Sequence, residues 1–206
     1  MKTLLVKYTP RNERSSTKKL LDAYREKIRN SEIEELDLCS DVPDMFLEAN
    51  LLAYIQRNYL GNNLTPEQKK LMSKIDRMTE QLKSADIVVV AFPMNNFSMP
   101  APVKAWFDSV MLKGQTWDVK DGGGYVGLMN GKKALVLVTS GGIYSKVPMA
   151  AWEHALSLTK LEFQFMGYSD IQGILAEGMN AGDDTKSVNL KKSIEQVQSI
   201  AQAWHK

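Results

Sequence analysis

Three short stretches of this chain combine side chains suited to holding a ligand. In Thr9-Pro10-Arg11-Asn12-Glu13-Arg14-Ser15-Ser16-Thr17, consecutive hydroxyls precede an amphipathic segment. A helix N-terminus presents unpaired N–H groups and a partial positive charge, so Ser15, Ser16 and Thr17 are placed to receive a phosphate, with Arg11 and Arg14 either reinforcing the anion or standing in solvent. The competing reading is that one hydroxyl simply caps the helix. Pro93-Met94-Asn95-Asn96-Phe97 offers backbone donors and acceptors and two carboxamides. That set suits the edge of a flat heterocycle with alternating N–H and C=O groups, or else forms a plain strand-to-helix turn. In Thr139-Ser140-Gly141-Gly142-Ile143-Tyr144, the glycines permit close backbone approach to a ligand that Tyr144 is placed to cover; a tight turn is the alternative.

The elements that must position these loops are legible from periodicity. Val88 to Phe92 is a continuous apolar run, the pattern of a parallel strand buried on both faces. That strand is expected over 86–92, with others over 2–8, 133–140 and 171–175 and one of alternating faces over 33–38. Helical spacing is read over 16–29 and further helices are expected from about Ala101, between about 147 and 165 and between about 186 and 204, while a segment of unassigned type runs from the break at 41–44 to about Tyr59. Thr65-Pro66-Glu67-Gln68 is a capping box with proline at the first helical position, and it opens a helix to Ser84. Alternating strands and helices predict an α/β fold, a doubly wound five-stranded parallel sheet of order 2-1-3-4-5 with right-handed crossovers. Ligands of such sheets bind beyond the carboxyl ends of the strands, where all three loops lie. The insertion 41–84 either holds two helices or contributes to a dimer interface.

Composition narrows the partners. With 206 residues, 44% hydrophobic and 24% charged, residues 1–206 are expected to form one domain. A net charge of +2, from 26 basic and 24 acidic residues, argues against a nucleic-acid or membrane surface and leaves a small molecule as the expected partner. The apolar stretch after Lys2 is broken at Lys7, too short for a signal segment, and no run approaches a membrane span. One cysteine, Cys39, and two histidines provide little for a disulfide or a metal site, so no metal is expected and a reducing cytoplasm is.

These motifs resemble the FMN-dependent NADH-azoreductases and quinone reductases of the flavodoxin-like superfamily over nearly the whole chain. Pro93-Met94-Asn95-Asn96-Phe97 is similar to that family's flavin loop, and Pro102-Val103-Lys104-Ala105-Trp106-Phe107-Asp108 to the helix after it. Gly114-Gln115-Thr116-Trp117, Gly127-Leu128, Gly131-Lys132-Lys133-Ala134 and Thr139-Ser140-Gly141-Gly142 continue the match in order. The resemblance implies a flavodoxin-like fold and non-covalent FMN. It places the phosphate at Thr9, Ser15, Ser16 and Thr17 and the isoalloxazine ring against Pro93, Met94, Asn95, Asn96, Phe97, Ser140, Gly141 and Gly142, with Tyr144 alongside. It also implies a homodimer with active sites at the subunit interface, and a ping-pong cycle in which NADH or NADPH is the donor and a quinone or azo compound the acceptor. No side-chain acid or base is assigned, because the flavin carries the redox chemistry. Backbone N–H groups at the ring edge would stabilise the negative charge that develops on reduction.

Two positions depart from the family pattern. Asn95 stands where Tyr or Trp is usual, removing an aromatic wall, and Ser140 is followed directly by Gly141 without the arginine some members insert. Asp121-Gly122-Gly123-Gly124-Tyr125 is either a lid over the ligand or a hairpin tip, with Trp117 and Tyr125 as the residues that distinguish the two. His154 is expected to pack rather than transfer protons. The alternative function is a flavodoxin-like electron carrier or flavin-binding regulatory module with little NAD(P)H turnover, against which the near-neutral charge argues. Hydrolysis of a phosphopantetheine ester lacks a cluster of metal ligands to perform it.

Overall fold

The computed structural model describes residues 1–206. Seven strands form, β1 (Lys2–Lys7), β2 (Glu32–Asp37), β3 (Ile87–Pro93), β4 (Trp117–Val119), β5 (Tyr125–Gly127), β6 (Lys133–Thr139) and β7 (Asp170–Ala176). Six α-helices accompany them: α1 (Ser16–Arg25), α2 (Glu48–Asn58), α3 (Pro66–Ser84), α4 (Ala101–Val110), α5 (Ala155–Phe165) and α6 (Asp183–Trp204). Five strands pair in parallel in the order β2-β1-β3-β6-β7. With the β4–β5 hairpin set aside, this is the expected 2-1-3-4-5.

Burial on both faces explains the strand composition. Leu4, Val6, Val88, Val90, Val136 and Val138 point to one side, packed with Met78, Trp106, Phe107 and Phe163 from α3, α4 and α5. Leu5, Ile87, Val89, Leu135 and Leu137 point to the other, against Leu20 and Tyr24 of α1 and Val197 of α6. The edge strand β2 instead carries Glu32, Glu34 and Glu35, and Glu34 pairs with Lys2 at 2.8 Å. Charge on an edge discourages pairing with another sheet.

Where element bounds differ from expectation, local hydrogen bonding gives the reason. The segment 147–165 is a 3-10 turn (Met149–Trp152) followed by α5. The break falls at Glu153, whose carboxylate accepts from the amides of Leu156 at 2.6 Å and Ser157 at 3.1 Å and so caps α5. Helix α6 starts three residues before the expected Lys186, behind Gly182 at φ +94°, with Asp183 and Asp184 in the favoured first turn. The insertion holds α2 and α3. The Thr65 capping box forms as expected, with Gln68 donating its amide to Thr65 Oγ1 and its side chain accepting from the Thr65 amide.

Candidate functional site

The carboxyl ends of β1, β3, β6 and β7 open into one cleft of about 270 Å³. Arg11, Ser16, Asn95, Ser140, Gly141 and Asn180 are among its lining residues, and Arg11 is the one ionisable side chain. The cleft brings the first turn of α1 to one end and the loops after β3 and β6 to the other.

At the helix end the three hydroxyls have separate roles. Ser15 is the N-cap of α1, and its Oγ accepts from the Lys18 amide at 3.2 Å. Thr17, 1% exposed, places its Oγ1 2.7 Å from Thr139 Oγ1 and so ties α1 to the end of β6. Ser16 lines the cleft between them, and the amides of Ser16 and Thr17 belong to the first helical turn, which has no intrahelical acceptors. An anion there meets free N–H groups, a partial positive charge and the Arg11 guanidinium.

The loop after β3 makes a tight reversal. Asn95 and Ser98 exchange backbone hydrogen bonds of 2.9 and 3.0 Å, with Asn96 at φ +44° and Phe97 at φ +71°. These signs at both central positions describe a type I′ turn, which normally selects Gly or Asn. A phenylalanine held there stores on the order of 1 kcal/mol of strain. Its ring, 41% exposed, meets Trp152 edge-on at 5.3 Å and Tyr144 at 6.3 Å, forming an aromatic rim.

The loop after β6 is anchored to the loop after β7. The amides of Gly178, Met179 and Asn180 donate to the carbonyls of Gly142, Ser140 and Gly141 at 3.0, 2.9 and 3.0 Å. A Cβ on Gly141 would lie 2.5 Å from Asn180 Nδ2, so a larger residue here would displace the Asn180 carboxamide from this wall.

A family profile for the flavodoxin-like fold matches residues 1–201. The FMN-dependent NADH:quinone oxidoreductase of Gluconobacter oxydans is 39% identical over 168 residues, covering 78% of this chain and 79% of that protein. The FMN-dependent NADH:quinone oxidoreductase 2 of Halalkalibacterium halodurans is 34% identical across 98% of this chain and 99% of its own length. The chain belongs to the flavodoxin-like FMN-dependent NADH:quinone oxidoreductase family. Among solved structures, an azoreductase from Bacillus anthracis superposes with a TM-score of 0.90 at 28% identity, over 98% of this chain and 99% of that one. A Bacillus anthracis FMN-dependent NADH-azoreductase in complex with FMN gives 0.88 at 29% identity, over 100% and 99%.

In this member of the oxidoreductase family, Ser15, Ser16, Thr17, Pro93, Met94, Asn95, Ser140 and Gly141 all border the cleft. Thr9, Asn96, Phe97, Gly142 and Tyr144 do not. Thr9 is 4% exposed beneath the first loop, where its carbonyl accepts from Asn12 at 2.9 Å, and Phe97 and Tyr144 form the rim. Met179 and Asn180 also line the cleft, and their one signal in sequence is that Glu177-Gly178-Met179-Asn180 follows a sheet strand as the other three loops do. Arg11 reaches the cleft and Arg14 does not.

Trp117 and Tyr125 of the β4–β5 hairpin pack together at 5.5 Å and each contacts Phe165 of α5 at 5.3 Å. The hairpin is therefore docked on α5, and neither residue lines the cleft. The His154 amide donates to the Phe97 carbonyl at 2.9 Å, supporting the strained turn from behind.

Proposed function

We propose that this protein is an FMN-dependent NAD(P)H oxidoreductase that reduces quinones and azo compounds by two electrons in a ping-pong cycle. In this reading the 206 residues act as one FMN-binding domain of a cytoplasmic homodimer. The observation that carries it is the convergence of four strand-end loops of one sheet on a cleft with an anion-binding helix terminus at one end and free backbone and carboxamide groups at the other.

The donor set fits FMN. Ser16, the first amides of α1 and Arg11 suit a phosphate, while Met94, Asn95, Ser140 and Gly141 present a flat wall with polar edges to a ring system. Bound FMN would supply two-electron redox chemistry between a nicotinamide donor and a flat acceptor. The residues of the cleft bind and orient. None of this chain's lining side chains is a carboxylate, imidazole or thiol.

A cleft of about 270 Å³ lies just below the range of ~300–1,000 Å³ common for ligand pockets and leaves one side of a flat ligand uncovered. A second copy of the chain supplies the cover in this reading. Helix α2 buries only Asn50 and Ala53, leaving Leu51, Leu52 and Ile55 exposed beside Met45 and Leu47. That apolar surface runs to Ala101 at the start of α4, three residues past Ser98. Contiguous apolar patches of this kind mark interaction surfaces. No helix is long and apolar enough to cross a membrane.

An electron carrier is the weaker reading, because the net charge of +2 offers no acidic docking face. Stripping the flavin tests the leading one. NADH-dependent menadione reduction should vanish in flavin-free protein and return with added FMN. Activity that persists without flavin contradicts it.

A further inference from the structure

A second groove, about 470 Å³, lies at the β7 edge of the sheet, between the loop after β6, the end of β7 and α6. None of its lining residues belongs to the cleft at the strand ends, yet the two are neighbours. Gly141 lines the cleft and Ile143 the groove, while Glu177 lines the groove and Met179 the cleft. On each loop, two residues of chain, at most ~7 Å, lead from one to the other. Helix α6 packs with α1 on the face of the sheet opposite α4 and α5, so a second copy seated on α2 and the start of α4 leaves the groove open.

Hydrogen bonds hold its walls together. Glu177 Oε1 accepts from the Tyr144 amide at 2.7 Å, and Asn189 of α6 donates its carboxamide to the Glu177 carbonyl at 3.0 Å. Two ammonium groups line this frame, Lys146 from the loop and Lys192 from α6, and neither is paired with a carboxylate. Ser145 and Thr185 add hydroxyls with no bond inside the protein, and Glu177 keeps Oε2 free. Ile143 and Leu175 form the apolar part. Two cations against one carboxylate leave the lining one net positive charge. The lysines suit a phosphate, and the free carboxylate oxygen suits a hydroxyl donor.

We propose that this groove is the subsite for the adenosine diphosphate half of the nicotinamide dinucleotide, an assignment that rests on the protein being an NAD(P)H-dependent reductase. The cleft has a single cation, Arg11, at the end suited to the flavin phosphate, so the two linking phosphates of the donor find no counter-charge there. Lys146 and Lys192 supply it. A dinucleotide with its nicotinamide in the cleft has the groove within reach, its pyrophosphate on the two lysines, a ribose hydroxyl donating to Glu177 Oε2 and its adenine against Ile143 and Leu175. A carboxylate on a ribose hydroxyl is the pairing that dinucleotide-binding sheets commonly use.

Anaerobic rapid mixing of the FMN-loaded protein with NADH, and with 1-benzyl-1,4-dihydronicotinamide, which has the reactive ring and no phosphate, provides the test, read as flavin bleaching. The double variant Lys146→Gln/Lys192→Gln should raise the half-saturating NADH concentration about tenfold or more, with the maximal bleaching rate and the response to the benzyl compound as in the wild type. Lys146→Arg/Lys192→Arg should restore the NADH value. ADP-ribose, titrated calorimetrically, should bind the wild type saturably, about tenfold tighter than the glutamine variant, and compete with NADH. Unchanged NADH half-saturation in the glutamine variant, equal weakening toward the benzyl compound, or ADP-ribose that does not compete with NADH would overturn the subsite and leave the reductase standing. Flavin that neither donor bleaches would overturn the reductase, and the subsite with it.

Discussion

The hydroxyls of Thr17 and Thr139 lie 2.7 Å apart, buried, and join the first turn of α1 to the last residue of β6 across 122 positions of sequence. The bond fixes one end of the cleft relative to the other. Either hydroxyl can donate in this bond, and Thr17 keeps its O–H for an anion only when Thr139 is the donor.

Thr17→Val and Thr139→Val should each destabilise the protein by about 1–3 kcal/mol, since each leaves one buried hydroxyl unpaired. In a chain of this length, each kcal/mol lowers Tm by roughly 2–4 °C. The double variant should lose less than the sum, because removing both hydroxyls leaves neither orphaned. Additive losses in a double-mutant cycle read by thermal unfolding would show that the two are energetically independent.

In the proposed reading Ser16, which makes no side-chain bond within the protein, donates its hydroxyl to the phosphate. Ser16→Ala should weaken FMN binding by roughly tenfold, about the worth of one hydrogen bond to a charged group, and leave riboflavin binding unchanged. Flavin fluorescence titrations separate the two ligands. Equal weakening toward both would move the phosphate away from α1.

Leu52 is 55% exposed in the middle of the apolar face of α2. Leu52→Glu should leave the circular dichroism spectrum intact, convert a dimer to a monomer in sedimentation velocity, and lower quinone reduction by tenfold or more, on the order of 1.4 kcal/mol of transition-state stabilisation. A variant that stays dimeric removes α2 from the interface.

Burial, offset in part by Lys104 and reinforced by Asp108, raises the Glu162 carboxyl from its ordinary value to about 7. Between its unfolded value and 7, the folded chain holds a proton that the unfolded chain has released, so this group makes stability fall as pH rises through the window. Glu162→Gln should flatten that slope and stabilise the protein at pH 8 by on the order of 3 kcal/mol, with little effect at pH 4. Urea denaturation at fixed protein concentration measures both. Lower stability of Glu162→Gln at pH 8 would mean that the ionised carboxylate is stabilised in the fold.

The sheet and most helices were legible because their signals are local. Val88 to Phe92 reads as a strand from its apolar run, and Thr65-Pro66-Glu67-Gln68 marks a helix start by itself. The cleft was legible only as far as each loop announced itself. Asn180 enters through contact with Gly141, and Thr17 is bonded to Thr139; neither relationship leaves a mark within a short window of sequence. The φ of +71° at Phe97 runs against that residue's own preference and is imposed by the Asn95–Ser98 backbone pairing and the aromatic rim. Glu162 looks like any helical glutamate until α4 and α2 are packed against it.

Anaerobic titration of the FMN-reconstituted protein with NADH, followed by menadione, tests the proposed activity most directly. The oxidised flavin absorption should bleach completely with stoichiometric NADH and return completely with menadione. Flavin that binds but remains oxidised in excess NADH would contradict a reductase and leave an electron carrier or sensor in its place.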